Sequence, residues 1–344
     1  MILDPRVDNP DAVVVSKVPV SAMPAEQDFK MAAGQMVAAI GIRFEGERVV
    51  FKPNVTSGER FKDPGSGITT HPAFIHGLIN AVQEYGAGKT YILEDPLNCD
   101  SNKRRSWRGT GYREIAAATG AKLRSPKSYT CTKKAVTNPI VHSTLKVSRL
   151  AVDPGIVLID VPKLKTHNLA VTTLSMKNLM GVVNVADRHY CNQAWEAIPE
   201  EIKAVDRGRN ETVDRELHER WQRGLADRLV DTAKVVRPHL NIVEGVVGRD
   251  GTGFQRGRNY PMGLVVAGIN AVAVDSVASY LMGFDPESII YLQTAAKAGL
   301  GETDIDKLTL YTADKGSLSP CTSLEKWRAK PGFEHIARLP GDPK

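Results

Sequence analysis

The feature of this chain that most restricts its fold is a repeated alternation of short β-branched runs with helical stretches. Residues 12–18 read as a strand, 26–40 as a helix and 48–51 as a strand. A helix over 72–85 follows, opened by Pro72, which suits a first helical turn. Strand 90–93 comes next, then a short helix at 110–119 and a mixed stretch, 121–150, with hairpin character. Beyond it lie strand 156–161, helix 172–183, a polar stretch at 186–211 and a long charged helix at 213–236. Strand 240–246, a glycine-rich turn at 248–257, strand 262–267, helices 271–281 and 286–298 and strand 308–311 complete the reading. Alternation of this kind predicts an α/β protein whose sheet is largely parallel and carries helices on both faces. We read residues 1–344 as one α/β unit, with two intimate subdomains as the alternative. The only candidate boundary is Asp153-Pro154-Gly155, near 150–155. The stretch 186–211 has little apolar patterning and is expected to form a lid, an insertion or a subunit contact in a homo-oligomer.

Composition narrows the class. Of 344 residues, 42% are hydrophobic and 24% charged, enough apolar material for a core. No stretch reaches the roughly 20 apolar residues of a membrane span, and the N-terminus lacks a basic segment followed by an apolar run. A cytoplasmic protein without membrane partners is the expectation. The four cysteines, Cys99, Cys131, Cys191 and Cys321, are too dispersed for a CxxC pair. Neither a disulfide nor an intrinsic iron–sulfur cluster is expected. The net charge of +6 favours anionic partners. The basic run at 102–108, around Trp107, comes without any nucleic-acid-binding pattern and reads as a solvated loop.

Two phosphate-loop resemblances fail. Gly86-Ala87-Gly88-Lys89-Thr90 needs a glycine where Gln83 stands and leads into a strand, so it cannot aim a helix N-terminus at a phosphate. Gly251-Thr252-Gly253-Phe254-Gln255-Arg256-Gly257 has one residue too many for a dinucleotide fingerprint; a turn or an anion-binding nest fits better.

The densest chemical signal lies at 162–184. Pro162-Lys163-Leu164-Lys165-Thr166-His167-Asn168 follows a buried strand, and alternation puts Lys163, Lys165 and His167 on one side of an extended segment. Thr172 and Thr173 then open the predicted helix as caps, with Thr173 and Lys177 on one face. An anion there would meet ammonium groups, an imidazole and the helix N-terminus. Each lysine alone would read as solvated; together, beside a buried strand, they read as a site. Ligands in parallel sheets sit beyond the carboxyl ends of the strands. Lys52-Pro53-Asn54, Glu94-Asp95 and Glu244 all fall just after or late in predicted strands. His71 is either a site residue or a filled turn. Asp275, at the start of an apolar helix, reads as a buried hydrogen-bonding acid. Arg188-His189-Tyr190 reads as a solvated loop or part of a lid.

These blocks resemble the bacterial and archaeal domain-of-unknown-function family numbered 362. The likeness spans roughly residues 10–312. It rests on Lys52-Pro53-Asn54, Thr69-Thr70-His71-Pro72, Pro162 to His167, Ser175-Met176-Lys177-Asn178-Leu179-Met180-Gly181, the turn near Asp250 and Ala273-Val274-Asp275-Ser276. The family usually has aspartate where Glu244 stands and glutamate where Asp250 stands. Many relatives carry a ferredoxin-like segment that this chain lacks. A fainter resemblance is to lactate racemase-like proteins, in which a basic residue and histidines serve a nickel cofactor. Membership implies a fold and a site, with no reaction assigned.

The expectation is an enzyme that moves a proton on a small carboxylate or phosphate. His167, His71 and Lys177 are its catalytic candidates. Lys52, Asn54, Lys163, Lys165 and Asn178 are its binding candidates. A divalent metal at Glu94, Asp95 or Asp250 is an option, which would make it a metal-dependent isomerase or redox enzyme. The rival is a non-catalytic module for an anionic metabolite. Catalysis would bring acids close to the lysines; simple anion binding would keep them away.

Overall fold

The computed structural model describes residues 1–56, 66–96, 107–203 and 211–339, without the side chains of 211–214. Most of the loop expected at 57–67, most of the basic run at 102–108, Cys99, and 204–210 of the polar stretch lie outside these residues.

In chain order the elements are β1 (Ala12–Lys17), α1 (Glu26–Ala39), β2 (Arg48–Pro53), α2 (Pro72–Glu84), β3 (Thr90–Leu93), α3 (Tyr112–Thr119) and β4 (Lys122–Arg124). Then come β5 (Cys131–Ala135), β6 (Thr144–Ser148), α4 (Arg149–Val152), β7 (Ile156–Val161), β8 (Lys163–His167), β9 (Val171–Thr172) and α5 (Ser175–Asn178). The rest are α6 (Tyr190–Glu196), α7 (Glu200–Lys203), α8 (Glu211–Val235), β10 (Leu240–Arg249), β11 (Asn259–Tyr260), β12 (Leu264–Gly268), α9 (Ala271–Leu281), α10 (Ile290–Lys297), β13 (Thr309–Asp314) and β14 (Ser317–Pro320).

The main sheet runs β14-β13-β1-β12-β10-β7-β2-β3-β4. The run from β10 to β4 is parallel throughout, and β1 and β13 point the same way. Only β12 and β14 on this path run against the others. The fold is therefore α/β with a mostly parallel sheet. Strands from both sides of 150–155 enter this one sheet; β5 and β6 form a separate antiparallel hairpin.

Alternation along the strands explains the layers. Val49 and Phe51 of β2, with Val157 and Ile159 of β7, face the core shared with α1 and α2. Val50 and Leu158 face the opposite core, built from α6, α8 and α10. Val13, Val15, Val243 and Val266 pack under α9 on that second side. Gly77 brings α1 and α2 together, because a Cβ there would sit 2.6 Å from the Lys30 carbonyl oxygen.

This order creates a switch point. From β2 the chain crosses by α2 to β3 on one side. From β7 it crosses by α8 to β10 on the other, over the opposite face. The carboxyl ends of β2 and β7 thus border a crevice, where such sheets hold ligands.

One expectation is corrected. The helix read at 172–183 is a single α turn, α5, followed by a 3-10 turn at Leu179–Val182. Within the stretch 186–211, Tyr190, Ala194 and Ile198 are buried in the second core, and Trp195 stacks edge-on against Trp221. No described helix is long and apolar enough to cross a membrane.

Candidate functional site

Strand β2 delivers Lys52 fully buried to the crevice. A buried ammonium needs acceptors, and Lys52 has three: Glu94 Oε2 at 2.5 Å, the Pro53 carbonyl at 2.7 Å and Asn178 Oδ1 at 3.2 Å. Glu94 stands just past the end of β3. Gly181 makes room for the pair, since a Cβ there would lie 2.6 Å from Lys52 Nζ and 3.0 Å from Glu94 Oε1. The glycine of the Met180-Gly181 motif is thereby explained by a close approach.

Asn178 is a strut. Its Oδ1 accepts from Lys52 Nζ and Asn54 Nδ2, and its Nδ2 donates to the Lys52 carbonyl at 2.9 Å and Asp160 Oδ1 at 2.8 Å. That fills its hydrogen-bonding capacity, so Asn178 positions Lys52 and Asn54 and has no amide group left for a ligand. Asp160, which the sequence reading passed over inside a buried strand, is fully buried. Burial pushes its carboxyl well above the usual carboxylate range, against the pull of Lys52.

Asn54 in turn accepts from Lys165 Nζ at 2.8 Å. Lys165 also donates to the Ile68 carbonyl at 2.6 Å and lies 3.4 Å from Thr56 Oγ1. Among the described residues it has no carboxylate partner. Burial, then the charges of Lys177, Lys163 and Arg249, drive its amine well below the ordinary lysine range, with Glu94 opposing.

Lys163 and Lys165 alternate along β8 yet have different surroundings. Lys163 pairs with Glu244 Oε2 at 2.5 Å, and both side chains are fully buried. Glu244 also accepts from the His71 and Val246 amides. His71 caps α2 by accepting from Ala73 N, and its ring stacks on Phe29 with centroids 3.9 Å apart. Burial, helped by the Lys163 charge, pushes His71 down to about 3. Neither Lys163 nor His71 lines the cavity described below.

β8 and β9 form a tight hairpin that presents His167. Its Nδ1 accepts from the Leu169 and Ala170 amides at 3.0 and 3.2 Å. A nitrogen that accepts two N–H bonds carries no proton, so the neutral ring bears its hydrogen on Nε2. Burial, then the Lys177 charge, hold His167 well below the usual histidine range. The residue read from the sequence as one that moves a proton thus presents a donor at Nε2. Val171, opposite His167, sits at φ 67°, a strained value for a β-branched residue.

The N-terminus of α5 is not available to an anion. Asp275 already occupies it, accepting from Ser175 N at 2.7 Å and Met176 N at 3.0 Å. The threonine caps expected there are replaced by an acid 100 residues away, which burial raises to about 7.

Beyond these residues opens a cavity of about 290 Å³. Of the candidates, Asn54, Lys165, His167, Lys177, Asn178, Glu94 and Asp95 line it; Lys52 lies directly behind Glu94 and Asn178. Lys177 makes no hydrogen bond or ion pair among the described residues. Arg188, from the segment before α6, also lines it. Its Nη2 bonds Asp95 Oδ2 at 2.7 Å, while its Nη1 is buried without a partner. The glycine-rich turn contributes Thr252, Gly253 and Phe254. Of the turn and the nest read there, the structure favours the turn, because the amides of 251, 252, 253, 255 and 256 are all used within the protein.

Asp250 lies apart from Glu94 and Asp95, bonded to Tyr260 and Arg258. Among the described residues, no group of three or more His, Cys, Asp and Glu side chains could hold a metal ion. The described cysteines, Cys131, Cys191 and Cys321, are free thiols. Sequence reasoning missed the weight of Arg188. Its only signal was a position just after the motif block.

The chain is 27% identical over 261 residues to Thylakoid-associated protein sll1697 of Synechocystis sp., covering 75% of this chain and 70% of that one. A family model described as a domain of unknown function (DUF362) matches residues 49–280, from the start of β2 into α9, and so takes in every residue of the cavity wall. The chain is a member of the DUF362 family.

Proposed function

We propose that the protein is an enzyme acting on a small organic anion, a carboxylate or a phosphate, bound in the cavity at the β2/β7 switch point. The observation that carries this reading is a cavity wall with two cationic side chains that are incompletely matched among the described residues: Lys177, with no hydrogen bond or ion pair, and Arg188, whose Nη1 is buried without a partner. Lys177 is half-buried with no acid beside it, Arg188 has a spare donor beyond its Asp95 pair, and an anionic ligand would complete both. His167 Nε2–H adds a neutral donor. Lys165 and Glu94 are the groups placed to take up or release a proton. The approach of Glu94 to Lys52 and of Asp95 to Arg188 supports catalysis over simple anion storage, for which acids in the wall would be a liability.

The test uses calorimetry and thermal shift with inorganic phosphate, acetate and malonate on the parent and on Lys177→Met. At least one anion should stabilise the parent, by about 2.7 kcal/mol at one hundred times its dissociation constant. A charged hydrogen bond is worth about 1.5–3 kcal/mol, so Lys177→Met should weaken binding roughly 10- to 150-fold with stability unchanged. Equal affinity in both proteins, or no anion effect on the parent, refutes the reading. The proposal places the enzyme in the cytoplasm. Attachment to a membrane surface, as the name of its Synechocystis relative suggests for that protein, is the competing outcome, and fractionation of the full chain separates the two.

A further inference from the structure

We propose that Lys165 is the reactive amine of the cavity and captures the carbonyl carbon of a small 2-oxo acid as an imine. The proposal rests on the anion-binding reading above and names the substrate class and the bond formed.

Three lysines lie buried around the β2/β7 crevice, and their partners differ. Lys52 is matched by Glu94 and Lys163 by Glu244. Lys165, 3% exposed, is matched by no carboxylate among the described residues. Its close acceptors are Asn54 Oδ1 and the Ile68 carbonyl, both uncharged, with Thr56 Oγ1 a distant third. A neutral amine has two N–H bonds and one lone pair. Two close acceptors satisfy the two hydrogens and leave the lone pair over. The charged groups that act on it are Lys177 from α5, Lys163 from its own strand and Arg249 from β10, with Glu94 past β3 the opposing acid. Removal from water and neighbouring cations are the conditions that make a lysine nucleophilic towards carbonyls.

The rest of the cavity fits the other end of such a substrate. Lys177 and Arg188 supply positive charge for a carboxylate, and His167 Nε2–H can donate to the oxygen of a carbonyl under attack. The step balances without a further reactant. The Lys165 lone pair bonds to the carbonyl carbon. The two amine hydrogens pass to the carbonyl oxygen, which leaves as water, and a C=N double bond remains. An imine beside a carboxylate acidifies the neighbouring C–H bonds, which links this chemistry to the proton transfer proposed above.

The experiment is reductive trapping on the full chain. Glyoxylate is added with sodium cyanoborohydride, and adducts are located by intact mass and peptide mapping. Acetaldehyde serves as a carbonyl without a carboxylate, and oxalate as an anion without a reactive carbonyl. The expected result is a single adduct on Lys165, formed at least tenfold faster than with acetaldehyde and suppressed by oxalate. Its pH midpoint should lie below that of the surface lysines. Because the parent is mapped directly, no variant need fold; Lys165→Arg, where it folds, should lose the adduct. Labelling spread over exposed lysines with Lys165 unmodified overturns the imine proposal. If oxalate still stabilises the parent in that case, the anion-binding reading survives; if it does not, both fall. Labelling of Lys165 at equal rates by glyoxylate and acetaldehyde overturns the oxo-acid assignment.

Discussion

Adding one methyl group at Gly181 should cost this protein several times what a surface change costs. The residue lies in the 3-10 turn Leu179–Val182, outside the left-handed region, so alanine is allowed by the backbone. The obstacle is space: the new Cβ would lie 2.6 Å from Lys52 Nζ, whereas ordinary contact begins near 3.4 Å. The ammonium must retreat by about 0.8 Å. It is held by Glu94, Pro53 and Asn178 at 2.5–3.2 Å, and at least one of those bonds fails. Losing a charged hydrogen bond costs about 1.5–3 kcal/mol, and overpacking costs about 1–3 kcal/mol. These overlap, so Gly181→Ala should destabilise by about 2–4 kcal/mol in urea unfolding. At about 2 °C per kcal/mol, Tm should fall by about 4–8 °C. Gly34→Ala is the control, since a Cβ there meets nothing within 4 Å and the site is inside α1. That change should stabilise by about 0.4–1 kcal/mol. If Gly181→Ala unfolds within about 0.5 kcal/mol of the parent, the size of an ordinary surface change, Lys52 is not clamped as argued.

Glu244→Gln leaves the Lys163 ammonium buried without its carboxylate and should cost about 3–5 kcal/mol. Anion affinity of the folded fraction should not change, because neither residue lines the cavity; a loss of affinity at full folding would contradict that placement. Arg188→Met should weaken anion binding and, because it leaves the buried Asp95 carboxylate without its cation, should also cost up to about 3–5 kcal/mol in urea unfolding; unchanged anion affinity in the folded fraction would contradict its role. His71 is held at about 3, below its unfolded value, so its contribution is complete above pH 6.5 and is lost as pH falls towards 3. His71→Asn keeps an N-cap acceptor and should flatten that acid limb; an unchanged slope would sink the assignment. Asp275, raised to about 7, acts in the other direction. The folded state holds its proton more tightly, so stability falls as pH rises from about 4 to 7, and Asp275→Asn should remove that decline.

Much of the fold was legible in the chain. The alternation of β-branched runs with amphipathic stretches required a parallel sheet between helices, because a strand buried on both faces needs cover on both. The block at 162–184 stood out for the same local reason, a cluster of cationic side chains at the end of a buried strand. What could not be read was the fate of each cation. Lys163 and Lys165 are two residues apart on one side of one strand. One meets Glu244, 81 residues away, and the other meets Asn54 and a carbonyl. The helix expected from 172 begins at Ser175 because Asp275 takes its first amides. His71 resembles a catalytic histidine in sequence and is a helix cap in the fold. Local pattern decides secondary structure and where the chain turns, since those energies depend on near neighbours. Whether a lysine is paired, neutral or open to a ligand depends on charges brought close only by packing, and that was decided by the tertiary structure alone.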